Sequence, residues 1–152
     1  MALTAIITVV VALLYANFLE WALHKWVLHK WGKERGSYWS EHYRVHHRNY
    51  NRFGGHDPDY INFKLNSEVL GLVGLAVLHS PVALLSPLAY GTLFAHGVTY
   101  YLVHRYSHVN PEWGWKWIPW HMEHHRGREA NWCVLFPLWD HILRTRVKVG
   151  RR

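Results

Sequence analysis

The sequence predicts an all-α integral membrane protein of about three transmembrane helices, one single helix plus a helical hairpin, under a cytoplasmic helical cap that carries clustered histidines. The prediction rests on two uncharged runs, residues 2–19 and 69–103, and on the placement of all 17 Lys and Arg in the windows 25–64 and 105–152. It rests also on the 14 histidines, most of which gather beside those apolar runs. At 152 residues, half of them hydrophobic, the chain is sized for one core, so residues 1–152 are read as a single domain.

The first run, "ALTAIITVVVALLYANFL", is 18 residues long, enough for a transmembrane helix. A secretory signal would carry a basic leading segment and a small-residue cleavage site. Here no Lys or Arg precedes the run and "EWALHKWVLH" follows it, so a retained helix is expected. Trp21, Trp26 and Trp31 come next, where amphipathic rings favour the headgroup level.

The second run, Val69 to Val103, would be about 50 Å long as one helix, well beyond a hydrocarbon core of ~30 Å. Pro81 and the Ser86-Pro87 pair interrupt its middle, because proline removes a backbone donor and disfavours helix at the preceding residue. A hairpin turning near 80–87 is predicted, either as two passes or as a re-entrant loop. Both versions return the chain to the side it left. The two basic windows then share one face, which the positive-inside tendency makes cytoplasmic. The loop "NRFGGHDPDY" (Asn51 to Tyr60) leads into the hairpin and "WGWKWIPW" (Trp113 to Trp120) follows it as a second interfacial aromatic cluster.

Composition narrows the chemistry. The single cysteine, Cys133, excludes an internal disulfide framework and any C-x-x-C metal motif, leaving His, Asp and Glu to hold a metal. The net charge of +7 is divided by apolar runs instead of forming a stripe on a soluble fold, so no nucleic-acid partner is expected.

Ten histidines fall into four short groups: His24 and His29; His42, His46 and His47; His104 and His108; His121, His124 and His125. Spacings of three and four put side chains on one face of a helix, so each of the last three groups is expected to point in one direction. His24 and His29, five apart, lie about 140° apart around an α-helix and cannot share a narrow face. They are expected to reach two different metals, or a site around which the helix end wraps. An even number of crossings between His47 and His104 puts all four groups on one side of the membrane. Imidazole suits Zn, Cu, Fe and Ni, and a zinc site takes only three or four protein ligands, so ten imidazoles suit two ions better than one. His79 and His96 are read as polar residues on packed membrane helices, outside the metal site.

The order H-x-x-x-x-H, H-x-x-x-H-H, H-x-x-x-H, H-x-x-H-H resembles the fatty acid hydroxylase/sterol desaturase superfamily of integral-membrane non-haem diiron enzymes, from about His24 to Thr145. "NWC" (Asn131 to Cys133) and "LWDHILRT" (Leu138 to Thr145) resemble that family's closing elements, with Cys133 in place of the usual glycine and His141 in place of the usual arginine. "HHRGRE" (His124 to Glu129) echoes carotenoid hydroxylases, while "HRYSH" and "LWDHILRT" are more similar to the fatty acid hydroxylase side.

The resemblance implies that the ten box histidines bind two irons and that O2 is reduced there. It further implies that an unactivated C–H bond of a lipid-like substrate, such as an acyl chain, sterol or carotenoid, is hydroxylated in preference to desaturated. The chain carries no cytochrome-like, flavin or iron–sulfur module, so a separate donor of ferredoxin or cytochrome b5 type with its reductase is expected. Glu20, Glu41, Glu123 and Asp140 are candidate outer partners of the ligands, and Asn131 a candidate ligand or orienter. The competing reading is a zinc-dependent membrane hydrolase or a metal-binding or transport protein.

Overall fold

The computed structural model describes residues 1–127, 129–148 and 150, and among these there is no β-strand. Helix α1 (Ala2–Leu23) runs without Gly or Pro, and many of its large apolar side chains, Ile6, Val10, Val11 and Leu14 among them, are exposed. A helix apolar all round seeks a surrounding of lipid or protein. With its continuation to Trp31, it is the one stretch among the described residues long and apolar enough to cross a membrane, by length and composition.

At His24 the helix changes character, and His24–Trp31 is a π-helix that ends at Gly32. Gly32 is required by close approach: a Cβ there would lie 2.0 Å from the Leu28 carbonyl oxygen. A second π-helical segment, His42–His46, leads into α2 (His47–Arg52), and a short 3-10 turn at Pro58–Tyr60 follows, with the Asp57 side chain accepting from the Asp59 N–H.

The predicted hairpin is present but its arms are unequal. Helix α3 (Ser67–Leu78) is capped by the Asn66 side chain, which accepts from the Val69 N–H at 3.0 Å. It is 12 residues long, about 18 Å, and so falls short of a full pass. A turn and the four-residue α4 (Val82–Leu85) follow, and Ser86 then caps α5 (Pro87–Val109) by accepting from the Ala89 N–H, with Pro87 preset for the first helical position. At 23 residues, α5 extends about 35 Å. Leu84 and Leu85 at the hairpin tip are almost fully exposed.

Asn110 ends α5 and caps α6 (Pro111–Trp117); Pro119 opens α7 (Pro119–His124), and α8 (Leu138–Ile142) closes the described fold. Helix α1 packs along α5, and α8 packs on α1. The deepest burial lies in the layer beyond the apolar helices, where Met122, Cys133, Val134 and most of the grouped histidines are shielded from solvent.

Candidate metal centre

The π-helices decide where the histidines point. A π-helix bonds i to i+5, a wider turn than the α-helix, so residues five apart return to the same side. His24 and His29 therefore share one face and one ligand group, which corrects the expectation that they cannot share a face and leaves, of the two alternatives, a single site around which the helix end wraps. His42 and His47 do the same across the second π-helical segment.

Two groups of ligand atoms result. His24, His29, His42, His47 and His124 form one, and His46, His104, His108 and His125 the other, each with its ligand atoms within 4.8 Å of one another. His121 joins the second: its Nε2 is 3.1 Å from Nε2 of both His108 and His125. The His42–His46–His47 and His121–His124–His125 boxes do not each point in one direction, as expected from α-helical spacing. Adjacent residues lie about 100° apart around a helix, so His46 and His47, and likewise His124 and His125, part toward different groups.

The nitrogen geometry fits metal ions. Two imidazole nitrogens at about 2.1 Å from one ion and at right angles to it lie about 3.0 Å apart. The Nε2–Nε2 separations are 3.1 Å for His24 and His42, 3.0 Å for His29 and His47, and 3.0 Å for His29 and His124. The tautomers agree. His24 Nδ1 is 2.6 Å from the Trp132 carbonyl oxygen and His124 Nδ1 is 2.7 Å from that of Ala130; a carbonyl only accepts, so the proton sits on Nδ1 and Nε2 turns a lone pair inward. His108 donates from Nδ1 to the Gly55 carbonyl at 3.3 Å. His46 and His104 donate from Nδ1 to Asp57 and Glu68, both at 2.6 Å, and their buried Nε2 atoms have no hydrogen-bond partner. Lone pairs converging in a buried space repel one another unless a cation joins them.

Burial reinforces this. His42, His46, His121, His124 and His125 are held well below the ordinary imidazole range, first by desolvation and then by their neighbouring histidines. For His47 the same causes bring the value to about 3. Neutral imidazole is the ligating form, so these groups are ready to bind metal without first losing protons.

The acids that face ligands are mostly not the ones expected from sequence proximity. Glu20 accepts from the backbone N–H groups of Val134 and Leu135, from Asn17 and from His96, and so ties α1 to the 134–135 loop and to α5. Glu41 accepts from the N–H and hydroxyl of Ser67. Glu123 accepts from Arg126 at 3.3 Å. The ligand-facing carboxylates are Asp57, in the loop, and Glu68, at the edge of the second uncharged run. Glu68 adjoins an apolar segment and Asp57 lies in a turn, and neither position by itself tells which histidine the acid meets.

Asp140 and Asn131 act one step further out. Asp140 accepts from the N–H groups of Trp132 and Cys133 and from the Thr145 hydroxyl. Asn131, at φ 58°, is a turn residue whose Oδ1 accepts from the Val147 N–H and from Arg146. Together they hold the Ala130 and Trp132 carbonyls against His124 and His24. Cys133 is fully buried against Trp21 and Trp132, has no positive φ, and so occupies the position usual for glycine without backbone strain; burial pushes its thiol well up from the ordinary value. His141, in place of the usual arginine, is exposed on α8.

Aromatic rings close the site. Trp132 lies 4.8 to 5.8 Å from His24, His29 and His124, Tyr60 stacks on His108, and Tyr50 on His125. In the turn after His125, Arg126 lies over Trp115 and Glu129 pairs with Lys33 at 2.7 Å; Arg128 of the "HHRGRE" stretch lies outside the described residues. Glu129 also stands 3.7 Å from His29 Nδ1.

Beside the histidines lies a cavity of about 860 Å3 between α1 and α3, with α5 behind it. Its walls are mostly Leu, Val, Ala, Gly and aromatic residues, with Glu20 and His96 among them. His24, Glu68 and Tyr100 meet it at one end, and His79, Ser80 and Tyr90 at the other. Such a size and lining suit an apolar ligand.

The family described as fatty acid hydroxylase matches residues 9–145. No curated protein and no solved structure matches the chain.

Proposed function

The chain belongs to the fatty acid hydroxylase family, and on that premise we propose that it hydroxylates an unactivated C–H bond of a lipid-like substrate in an O2-dependent reaction at two iron ions. The observation that carries this reading is the convergence of ten imidazoles, as two buried groups, at the end of an apolar cavity. His24, His29, His42, His47 and His124 would hold one iron, and His46, His104, His108, His121 and His125 the other.

Bound iron would supply O2 reduction, with one oxygen atom entering the C–H bond and the other leaving as water on receipt of two electrons and two protons. The remaining work falls to the chain. Asp57, Glu68 and the carbonyls of Gly55, Ala130 and Trp132 hold protons on the outer ring nitrogens, so that the inner ones stay free to ligate. Trp132, Tyr50 and Tyr60 cover the centre and exclude water. The cavity walls align an acyl chain, sterol or carotenoid so that one carbon comes to rest near His24. Hydroxylation is favoured over desaturation on the family match.

We place α1 and the α3–α5 hairpin in the bilayer, with the cap on the cytoplasmic side where both basic windows lie. Electrons come from a separate ferredoxin or cytochrome b5 type donor. The test is metal analysis of purified protein together with O2 uptake. About two irons per chain and iron-dependent O2 consumption with a lipid substrate are expected. A folded chain that binds zinc, gains no O2 uptake on iron loading and hydrolyses an ester would replace this reading with that of a zinc hydrolase.

A further inference from the structure

Ions held among ten buried imidazoles need a way in, and the surroundings of the His24 group show where it lies. On one side His24 meets the largely apolar cavity, which a hydrated cation does not cross because shedding its water there is costly. Trp132 covers another side, 4.8 to 5.8 Å from His24, His29 and His124. The side toward solvent is formed by His29 and His47. Their Nε2 atoms are 3.0 Å apart, and His47, at 8%, is the most exposed of the ten grouped histidines.

His29 is held differently from its fellow ligands. Its Nε2 points inward, 3.0 Å from Nε2 of both His47 and His124, so its Nδ1 points outward. His24 and His124 anchor their outer nitrogens on the Trp132 and Ala130 carbonyls, whereas the buried Nδ1 of His29 has no hydrogen-bond partner among the described residues. What stands before it is the Glu129 carboxylate, at 3.7 Å, just too far for a hydrogen bond. The same carboxylate oxygen pairs with Lys33 at 2.7 Å, and both of these side chains are exposed. A ring without an anchor turns more freely than a pinned one, and a carboxylate oxygen is a ready first ligand for a divalent cation arriving from water. Glu129 thus joins solvent to a metal-side histidine without belonging to the ligand set.

We propose that the ion of the His24 group enters and leaves past Glu129: the carboxylate releases Lys33, takes a divalent cation from solvent and passes it to His29 as that ring turns outward. The inference rests on the reading of these histidines as a metal centre. At the carboxylate one cation, the Lys33 ammonium, is exchanged for another, and only metal–ligand bonds form or break. Such a way station lowers the barrier in both directions, so its mark is on the rates of binding and release and not on the affinity.

The experiment follows Co2+ binding to the metal-depleted full chain in lipid nanodiscs by stopped-flow visible absorption, and its release to excess chelator. The phase that Glu68→Gln leaves unaltered belongs to the His24 group, because Glu68 contacts His104 of the other group. Glu129→Gln should slow both the binding and the release of that ion, each roughly tenfold, as loss of a steering charge does, while its equilibrium affinity changes much less. Lys33→Met frees the carboxylate and should speed binding. Both positions are exposed, so neither change opens the core.

A fall in affinity with the binding rate intact makes Glu129 a fixed orienter of His29 and overturns the inference. Unchanged rates overturn it as well, leaving Glu129 a surface ion pair. Equal slowing of both ions overturns the assignment to the His24 group. A folded chain that takes up no Co2+ overturns instead the metal-centre reading on which the inference rests.

Discussion

Glu68→Gln is the substitution that separates a ligand-orienting carboxylate from a merely buried one. Glu68 Oε1 accepts from His104 Nδ1 at 2.6 Å and its Oε2 accepts from the Tyr60 hydroxyl at 2.5 Å. Glutamine keeps the shape but replaces one acceptor oxygen with an NH2 group. If the amide nitrogen faces His104, that imidazole must turn its Nδ1 lone pair outward and carry its proton on Nε2, where it can no longer ligate. If it faces Tyr60, the amide oxygen serves His104 more weakly than a carboxylate does.

Loss of such a partner commonly costs 10- to 100-fold in metal affinity, or about 1.4 to 2.7 kcal/mol. His104 belongs to the group with His46, His108, His121 and His125, so one ion should weaken and the other should not. Chelator titration of the loaded protein, followed by iron analysis, should show two distinct release steps in the variant, with one shifted by that amount. Two steps unchanged from the unaltered chain, or both shifted equally, would refute the orienting role.

Other outcomes follow from the same geometry. Asp140→Asn places an NH2 group against the N–H of Trp132 or Cys133 and should cost about 1 to 3 kcal/mol, read as an earlier thermal transition, with release of iron from the His24 group ahead of the other. Gly114→Ala brings a Cβ to 2.7 Å from Met122 Sδ and 3.0 Å from Ser107 Cβ, so about 1 to 3 kcal/mol of overpacking strain should appear in denaturant titration, eased by a smaller residue at 122. Cys133, buried and with its thiol pushed up, should resist maleimide in the folded chain and react after denaturation.

For the metal-free protein, His47 takes up a proton at about 3 when folded and at 6.5 when unfolded. The unfolded chain thus binds more protons between those values, and stability should fall as pH drops through that window and be insensitive to this group above it. Thermal transitions measured along a pH series check this; a rise in stability toward acid would contradict it.

Much of the architecture was legible in the residues themselves. The uncharged run 2–19 and the prolines at 81 and 87 are local signals, and they correspond to α1 and the hairpin turn. The four histidine groups were equally plain, because hydropathy and residue type are properties of the chain in any conformation. The sharing of the histidines between two groups was not. It depends on a widening of the helix at His24 and again at His42, which no propensity reports and which reverses what α-helical spacing implies for residues five apart.

The outer partners were hidden for a related reason. Nearness in sequence favoured Glu20 and Glu41, yet in space these acids meet backbone N–H groups and a serine. Asp57 and Glu68 reach His46 and His104 only because the loop folds beneath α5. Thus the sequence by itself determined the all-helical, membrane-seeking character and the supply of ten imidazoles. Only the tertiary structure decided which nitrogens converge, which carboxylates orient them and where the apolar cavity ends, since each of these is a relation between residues far apart in the chain.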